Sequence, residues 1–259
     1  MTRKPIAVTS WKMSMTIAES LAWIQEFTGL VDGLLEVVDV VVCPPFTALW
    51  AMHQALNGRP IQLGAQNMAP AKDLARTGEI SASLLKDVGC ERVLLGHWEV
   101  RRHLCDDDDA INRKVRLAVE AGLAPILLVG EARNEDMLCL DVLRGRLERL
   151  LEGCQAQDVE RMILVYEPEE AIGKPAPVSP QQAAAGCTFV RRWVGEQWGE
   201  ETADRVRVMY GGSVAPQFAD GLLDSPEIDG LGGTRRGRDA ATFAAIVKEV
   251  ARARAGWTD

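Results

Sequence analysis

Short apolar runs alternate with longer amphipathic stretches along the whole chain. The runs are rich in β-branched residues, a composition typical of strands buried in a sheet. They lie at residues 6–9, 37–42, 61–65, 92–95, 125–129, 162–166, 205–209 and 228–231. Between them, apolar residues recur at three- and four-residue steps, a spacing that predicts helices at 17–30, 110–121, 138–151 and 180–198.

Eight strands that alternate with helices predict a parallel sheet, because parallel neighbours need a crossover connection. Eight such units in 259 residues fit a (β/α)8 barrel. An open doubly wound sheet is the competing architecture, but it favours Gly-x-Gly-x-x-Gly after the first strand, where Ser10-Trp11-Lys12 stands instead. No Ser/Gly linker or low-complexity tract divides the chain. We therefore expect one α/β domain over residues 1–259.

Composition and charge restrict the possible partners and compartment. A net charge of −8 argues against nucleic acid or an acidic membrane surface as the main partner. No stretch approaches the roughly 20 apolar residues of a membrane span, and the first residues lack the apolar core of a signal peptide. The six cysteines are widely spaced without a Cys-x-x-Cys pair, which is typical of reduced thiols in a cytoplasmic protein.

A metal site is not expected from the potential ligands in this sequence. The cysteines and the three histidines lack the close spacing that a zinc site needs. Four consecutive aspartates at 106–109 precede a predicted helix, where carboxylates complement the positive end of the helix dipole. We interpret this acidic run as the start of a helix.

Candidate catalytic residues stand at the ends of three predicted strands. Lys12 follows the first strand by two positions, where its charge could hold a phosphate or a developing oxyanion. His97 ends the fourth strand in front of a helix, whose N-terminus favours a neutral imidazole. Glu167 ends the sixth strand and has to be paired, exposed or functional, because an unpaired buried carboxylate is costly. Taken singly, each residue could also have a purely structural role.

A glycine-rich segment, Tyr210-Gly211-Gly212-Ser213, follows the seventh predicted strand. Two glycines let the backbone approach a ligand, and the segment offers N–H groups and one hydroxyl to an anion. Ala171-Ile172-Gly173 could close over a ligand or form a simple turn. The three arginines at 235, 236 and 238 could bind phosphate or be solvated. Together these features predict a phosphosugar site, against the alternative of an ordinary strand-end turn.

Nine short segments in register across about 200 residues carry a resemblance that covers nearly the whole chain. The segments are Ser10-Trp11-Lys12-Met13, Gly64-Ala65-Gln66-Asn67, Thr77-Gly78-Glu79-Ile80-Ser81, Leu85-Lys86-Asp87, Gly96-His97-x-Glu99, Gly130-Glu131, Tyr166-Glu167-Pro168, Ala171-Ile172-Gly173 and Tyr210-Gly211-Gly212-Ser213-Val214. With these segments the chain resembles the triosephosphate isomerase family.

The resemblance implies a single-domain (β/α)8 TIM barrel that acts without a cofactor. Its reaction would be an aldose–ketose isomerisation of a small sugar phosphate, an intramolecular oxidation and reduction that belongs to glycolysis and gluconeogenesis. In this family Glu167 would shuttle the proton, His97 would polarise the carbonyl, and Lys12 would supply positive charge beside Glu99. The substrate and phosphate contacts would come from Ser10, Gly173, Gly211, Gly212, Ser213, Gly232, Gly233 and Arg235. The family also implies a homodimer in which Thr77 reaches into the partner subunit.

The chain departs from the family pattern close to the implied site. Ser10 stands where the family has asparagine, and Trp98 replaces a serine directly after the histidine. In the closing loop, two carboxylates, Glu169 and Glu170, enter the first hinge, and Lys174-Pro175 changes the second.

The loop after the eighth strand fits the family's glycine pair in two ways. Gly232-Gly233 matches it by residue type, whereas a gapless alignment puts Thr234 and Arg235 on the pair.

Three functions follow from these similarities and departures. The first is a triose-phosphate isomerase or a close relative. The second is a member of a sister group that isomerises tetrulose phosphates, such as L-erythrulose 1-phosphate, in erythritol breakdown, since this group resembles the chain at several of its departures. The third is a barrel that binds a phosphorylated ligand without turnover. The presence of Lys12, His97 and Glu167 favours an enzyme over a barrel that only binds a ligand.

Overall fold

Eight parallel strands close into a barrel in the computed structural model, which describes residues 3–72 and 75–256. The strands are β1 (Ile6–Ser10), β2 (Asp39–Cys43), β3 (Ile61–Ala65), β4 (Arg92–Leu95), β5 (Ala124–Val129), β6 (Ile163–Tyr166), β7 (Arg207–Tyr210) and β8 (Gly230–Gly232). Each strand pairs with the next, and β8 returns to β1 with Ile6 opposite Gly230. The predicted (β/α)8 barrel is confirmed, and the open doubly wound sheet is wrong.

Eleven α-helices in the described part of the chain surround the barrel. They are α1 (Ile17–Leu30), α2 (Leu49–Leu56), α3 (Ala82–Asp87), α4 (Trp98–His103), α5 (Asp108–Glu120), α6 (Leu140–Leu150), α7 (Ala156–Arg161), α8 (Pro180–Trp198), α9 (Glu200–Arg205), α10 (Pro216–Leu223) and α11 (Ala240–Ala255). The predicted helices at 17–30 and 180–198 are confirmed at both ends. The acidic run starts α5 as predicted, because the Asp107 side chain accepts a hydrogen bond from the Ala110 N–H.

Four strands begin later than their apolar patterns predict, β6 by one residue and β2, β7 and β8 by two, and β2 and β7 show the reason. Val37 and Val38 are hydrophobic, but they follow a 3-10 turn at Leu34–Glu36, so β2 starts only at Asp39. Arg205 belongs to the end of α9, and β7 starts at Arg207. Val38 and Val206 are buried although they lie outside a strand, and a hydrophobic pattern alone does not distinguish such residues from strand residues.

Alternation along the strands decides which side chains face the inside of the barrel. Successive strand residues point to opposite faces. In β6, Ile163 and Val165 belong to the cluster inside the barrel, whereas Leu164 and Tyr166 pack in the layer between strands and helices. Glu167 comes next in this alternation and is directed inward at the carboxyl end of β6.

The described residues carry no helix that is both long enough and apolar enough to cross a membrane. The predicted domain over residues 1–259 extends beyond the described ranges at both ends.

Candidate active site

A cavity of about 240 Å³ opens at the carboxyl ends of the strands. Its volume lies below the roughly 300–1,000 Å³ of typical drug-sized pockets, so it suits a small ligand. It brings together eight predicted site residues, which are Lys12, His97, Glu99, Glu167, Gly173, Gly212, Ser213 and Arg235. The other four, Ser10, Gly211, Gly232 and Gly233, do not line it and are buried next to it in the strands or directly after them.

The carboxylate of Glu167 is held at the inner end of the cavity. Glu167 is only 2% exposed, and its main-chain N–H donates to the carbonyl oxygen of Val129 at 2.8 Å. A Cβ atom on Gly211 would lie 2.9 Å from the Oε1 atom, so the glycine leaves the room that the carboxylate occupies. The Oε2 atom lies 3.5 Å from Nε2 of His97 and has no hydrogen-bond partner among the described residues.

The two ring nitrogens of His97 have different surroundings. The Nδ1 atom accepts a hydrogen bond from the main-chain N–H of Glu99 at 3.0 Å, at the start of α4. Burial lowers the pKa of His97; the charge of Glu167 opposes this shift, and the charge of Lys12 adds to it. The ring is therefore neutral at pH 7, and its proton resides on Nε2, which faces Glu167.

Lys12 presents its ammonium to the cavity through an ion pair with Glu99. The Nζ atom lies 2.6 Å from Oε1 of Glu99. Burial acts to raise the pKa of Glu99, but the hydrogen bond from Lys12 and the nearby positive charges outweigh it, and the net shift is downward. Lys12 has a positive φ of 55°, a backbone conformation that residues other than glycine rarely adopt. The Gln66 side chain supports this turn by donating to the Lys12 carbonyl oxygen at 3.0 Å.

The loop between β6 and α8 lies over the cavity and contacts the end of β7. We call residues 168–178 the lid. The Ser213 hydroxyl donates to the carbonyl oxygen of Ala171 at 2.8 Å, and the Val178 N–H donates to the Tyr210 hydroxyl at 3.2 Å. Gly173 is exposed at the lid's centre with a φ of 77°, which a residue without Cβ adopts freely.

Both new carboxylates in the first hinge of the lid have partners. Glu169 is buried, accepts a hydrogen bond from the Arg133 N–H at 2.7 Å and forms an ion pair with Arg102. Glu170 is more exposed and lies 2.6 Å from the Lys174 ammonium. The altered hinge is thus tied to neighbouring loops by charge rather than by apolar packing.

The structure places Thr234 and Arg235, and not Gly232 and Gly233, on the cavity wall. Gly232 lies in β8 opposite Val8, and the Gly233 N–H donates to the Val8 carbonyl oxygen at 2.8 Å. The main-chain N–H of Gly233 therefore already has a partner in β1. The geometry agrees with the gapless alignment of this loop.

Arg236 joins the lid to the end of β7. Its guanidinium donates to the carbonyl oxygen of Ser213 at 3.2 Å and to that of Pro175 at 3.0 Å. The sequence indicated this arginine only as part of a charged run, because the contacts depend on the folded loops.

The described ranges contain no group of three or more His, Cys, Asp or Glu residues that could hold a metal ion.

Comparisons with known proteins agree with this geometry. The family model described as triosephosphate isomerase matches residues 5–250. The triosephosphate isomerase of Carboxydothermus hydrogenoformans is 40% identical over 257 residues, covering 95% of this chain and 98% of the relative. That of Solibacter usitatus is 38% identical over 247 residues, covering 95% and 99%.

A solved structure gives the same result at the level of the fold. The crystal structure of triosephosphate isomerase from Bartonella henselae matches with a TM-score of 0.84 and 30% identity, covering 96% of this chain and 99% of that one. These similarities give no support to the tetrulose-phosphate alternative or to the non-catalytic barrel.

Proposed function

Because the chain belongs to the triosephosphate isomerase family, we propose that it interconverts an aldose and a ketose triose phosphate with Glu167 as the base. One observation supports the assignment of catalytic roles to particular residues. A carboxylate, a neutral imidazole and an ammonium, from Glu167, His97 and Lys12, meet in one small cavity at the strand ends.

The proton transfer follows from the positions of Glu167 and His97. The carboxylate takes a proton from the carbon next to the substrate carbonyl, and the electron pair of the broken C–H bond forms the C=C bond of an enediolate. The Nε2–H of His97 donates to the substrate oxygen on which negative charge develops. Glu167 then gives a proton to the former carbonyl carbon, while the proton of the neighbouring hydroxyl moves to the former carbonyl oxygen; the C=C pair forms the new C–H bond, the released O–H pair forms the new carbonyl, and atoms and electrons balance. A glutamate base with a neutral histidine is the established pattern of this family.

Lys12 stabilises the negative charge of the enediolate. Its ammonium lines the cavity, and the ion pair with Glu99 holds it in place. Charge fixed before the reaction stabilises the transition state more than charge that has to reorient. Ser10 ends β1 two residues before Lys12 and is buried next to the cavity.

The substrate phosphate binds between the lid, the end of β7 and the loop after β8. Main-chain N–H groups around Gly173, Gly212 and Ser213 and the charged side chain of Arg235 surround this end of the cavity. Closure of the lid over a bound substrate excludes water from the enediolate, which protects it from side reactions.

We also propose a cytoplasmic homodimer. Thr77 lies on an exposed loop, and Met13 is 99% exposed, which is unusual for an apolar residue and typical of a contact surface. The six cysteines are free thiols, in keeping with a reducing compartment.

The role of Glu167 is tested by Glu167→Gln, which keeps the shape of the side chain and removes the base. We expect kcat for glyceraldehyde 3-phosphate to fall about 10³-fold, within the range that general base catalysis contributes. Glu201→Gln is the matched control, since Glu201 is exposed on α9 and pairs only with Arg205 among the described residues. Isomerisation by the Glu167→Gln variant at the wild-type rate, or its absence from the wild type, would contradict the proposal.

A further inference from the structure

The indole of Trp98 is bonded to the main chain of the proposed base. Its Nε1–H donates to the carbonyl oxygen of Glu167 at 3.1 Å, and both groups are buried. Trp98 directly follows His97 in the chain, and the family resemblance places a serine at this position. The bond therefore belongs to this chain rather than to the family pattern.

This carbonyl lies where β6 has ended and Pro168 turns the chain toward the lid. The N–H of Glu167 donates to the carbonyl oxygen of Val129 in β5, but among the described residues no main-chain N–H donates to the Glu167 carbonyl oxygen. Gly130 lies so close that a Cβ atom there would collide with the carbonyl. In this crowded and buried place, the indole N–H is the group that satisfies the oxygen.

Two arginines fix the orientation of the indole ring. The guanidinium carbons of Arg146 and Arg101 lie 5.1 Å and 5.3 Å from the ring centroid, within the range of a cation–π contact. Arg146 also donates to the carbonyl oxygen of Gly130, and Arg101 donates to that of Gly96 at 3.2 Å. The ring is thus held at the ends of β4, which leads to His97, and β5, which pairs with β6.

We infer that Trp98 is a positioning residue that holds Glu167 in register with His97. The inference rests on the proposed role of Glu167. His97 faces the carboxylate, and the next residue along the chain fixes the backbone that carries the carboxylate. A displacement of about 1 Å between reacting groups costs on the order of 100-fold in rate, so loss of this bond acts on the chemical step.

Trp98→Phe removes the N–H and keeps an aromatic ring between the two arginines. We expect kcat for glyceraldehyde 3-phosphate to fall about 10- to 100-fold. The KM and the inhibition constant of inorganic phosphate stay within about twofold, because the phosphate end of the cavity is unchanged. Trp198→Phe is the matched control, since Trp198 donates its indole N–H to the carbonyl oxygen of Cys154, remote from the cavity. This control keeps the wild-type kcat.

A second variant separates the hydrogen bond from the packing of the ring. Site-specific replacement of Trp98 by benzothienylalanine exchanges only the N–H for sulfur, and we expect the same loss of kcat in a protein that stays folded at the assay temperature, with a lower melting temperature because the buried Glu167 carbonyl loses its donor. Wild-type kcat in this variant would overturn the inference, and so would a loss of kcat matched by an equal loss of phosphate affinity. Failure of the proposed function has a different signature: the wild type is inactive or the Glu167→Gln variant is active.

Discussion

At the scale of the residue, the two ring nitrogens of His97 have different hydrogen-bonding roles, and these roles determine what the side chain can do. Its Nδ1 is occupied as an acceptor by the Glu99 N–H, which leaves Nε2 as the donor toward the substrate. Burial disfavours the imidazolium and lowers the pKa of His97. A neutral donor can polarise a carbonyl without giving up a full proton, which suits a reaction through an enediolate.

The protonation state of His97 is measurable by ¹⁵N NMR, because the chain has only three histidines. A lowered pKa means that the neutral form persists as pH falls through about 6.5, the ordinary histidine value. We therefore expect the His97 resonances at pH 6.5 to show a predominantly neutral ring protonated at Nε2. Spectra of a His97→Gln variant identify the signal. An imidazolium at pH 6.5, or a proton on Nδ1, would contradict this account.

The sequence indicates the catalytic residues better than the residues that hold them. Lys12, His97 and Glu167 stand at strand ends, and the motifs around them are local. The bond from Trp98 joins residues 69 positions apart. No spacing or composition in the chain marks such a contact, because it exists only once the barrel has brought β4 and β6 close to each other.

At the scale of the element, the lid is tied to the end of β7 by several hydrogen bonds. Ser213, Tyr210 and Arg236 each contact a main-chain group of the lid. Arg236 is the only one of these three that comes from the loop after β8, and it also reaches the Ser213 carbonyl. It therefore connects the three loops that surround the phosphate end of the cavity.

Removal of this connection by Arg236→Ala weakens substrate binding. Hydrogen bonds to charged groups contribute enough that we expect a KM increase of about tenfold, with a similar change in the inhibition constant of inorganic phosphate. Steady-state kinetics measure both constants. Arg205→Ala removes an exposed arginine on α9 and serves as the control with unchanged constants. A KM equal to that of the wild type in the Arg236→Ala variant would show that the lid does not depend on this contact.

The eight strands and four of the eleven helices among the described residues were predictable, but the register of the last loop was not. Periodicity predicts the strands because buried parallel strands need continuous apolar runs. Two glycine-pair alignments of the loop after β8 fit the sequence equally well. Pairing of Gly232 with Val8 decides between them, and this pairing is a long-range property of the closed sheet.

At the scale of the whole molecule, closure of the barrel collects residues from distant parts of the chain. Lys12 and Arg235 lie near opposite ends of the sequence and line the same cavity. The count of eight alternating units predicts this architecture, since parallel neighbours require crossovers. Contacts between subunits are harder to predict from a single sequence than the fold is. Here they are inferred from the family and from exposed apolar side chains.

The proposed homodimer predicts a sedimenting species with twice the mass of one chain. Thr77→Arg introduces a bulky charge into the loop that we propose as the contact with the partner subunit, so we expect this variant to shift toward the monomer. Gln25→Arg adds the same charge to an exposed position of α1 and keeps the wild-type mass. A wild type that sediments as a monomer at micromolar concentration would contradict the dimer.

The central claim is that Glu167 carries one proton between adjacent carbons through an enediolate. Isomerisation of glyceraldehyde 3-phosphate in D₂O, followed by NMR of the product, tests it most directly. The proton on the carboxyl group exchanges with solvent, so the account predicts deuterium on carbon 1 of dihydroxyacetone phosphate. Product that forms at the normal rate with its original hydrogen transferred intact and no deuterium, in the wild type and equally in the Glu167→Gln variant, would indicate a hydride shift and contradict the account.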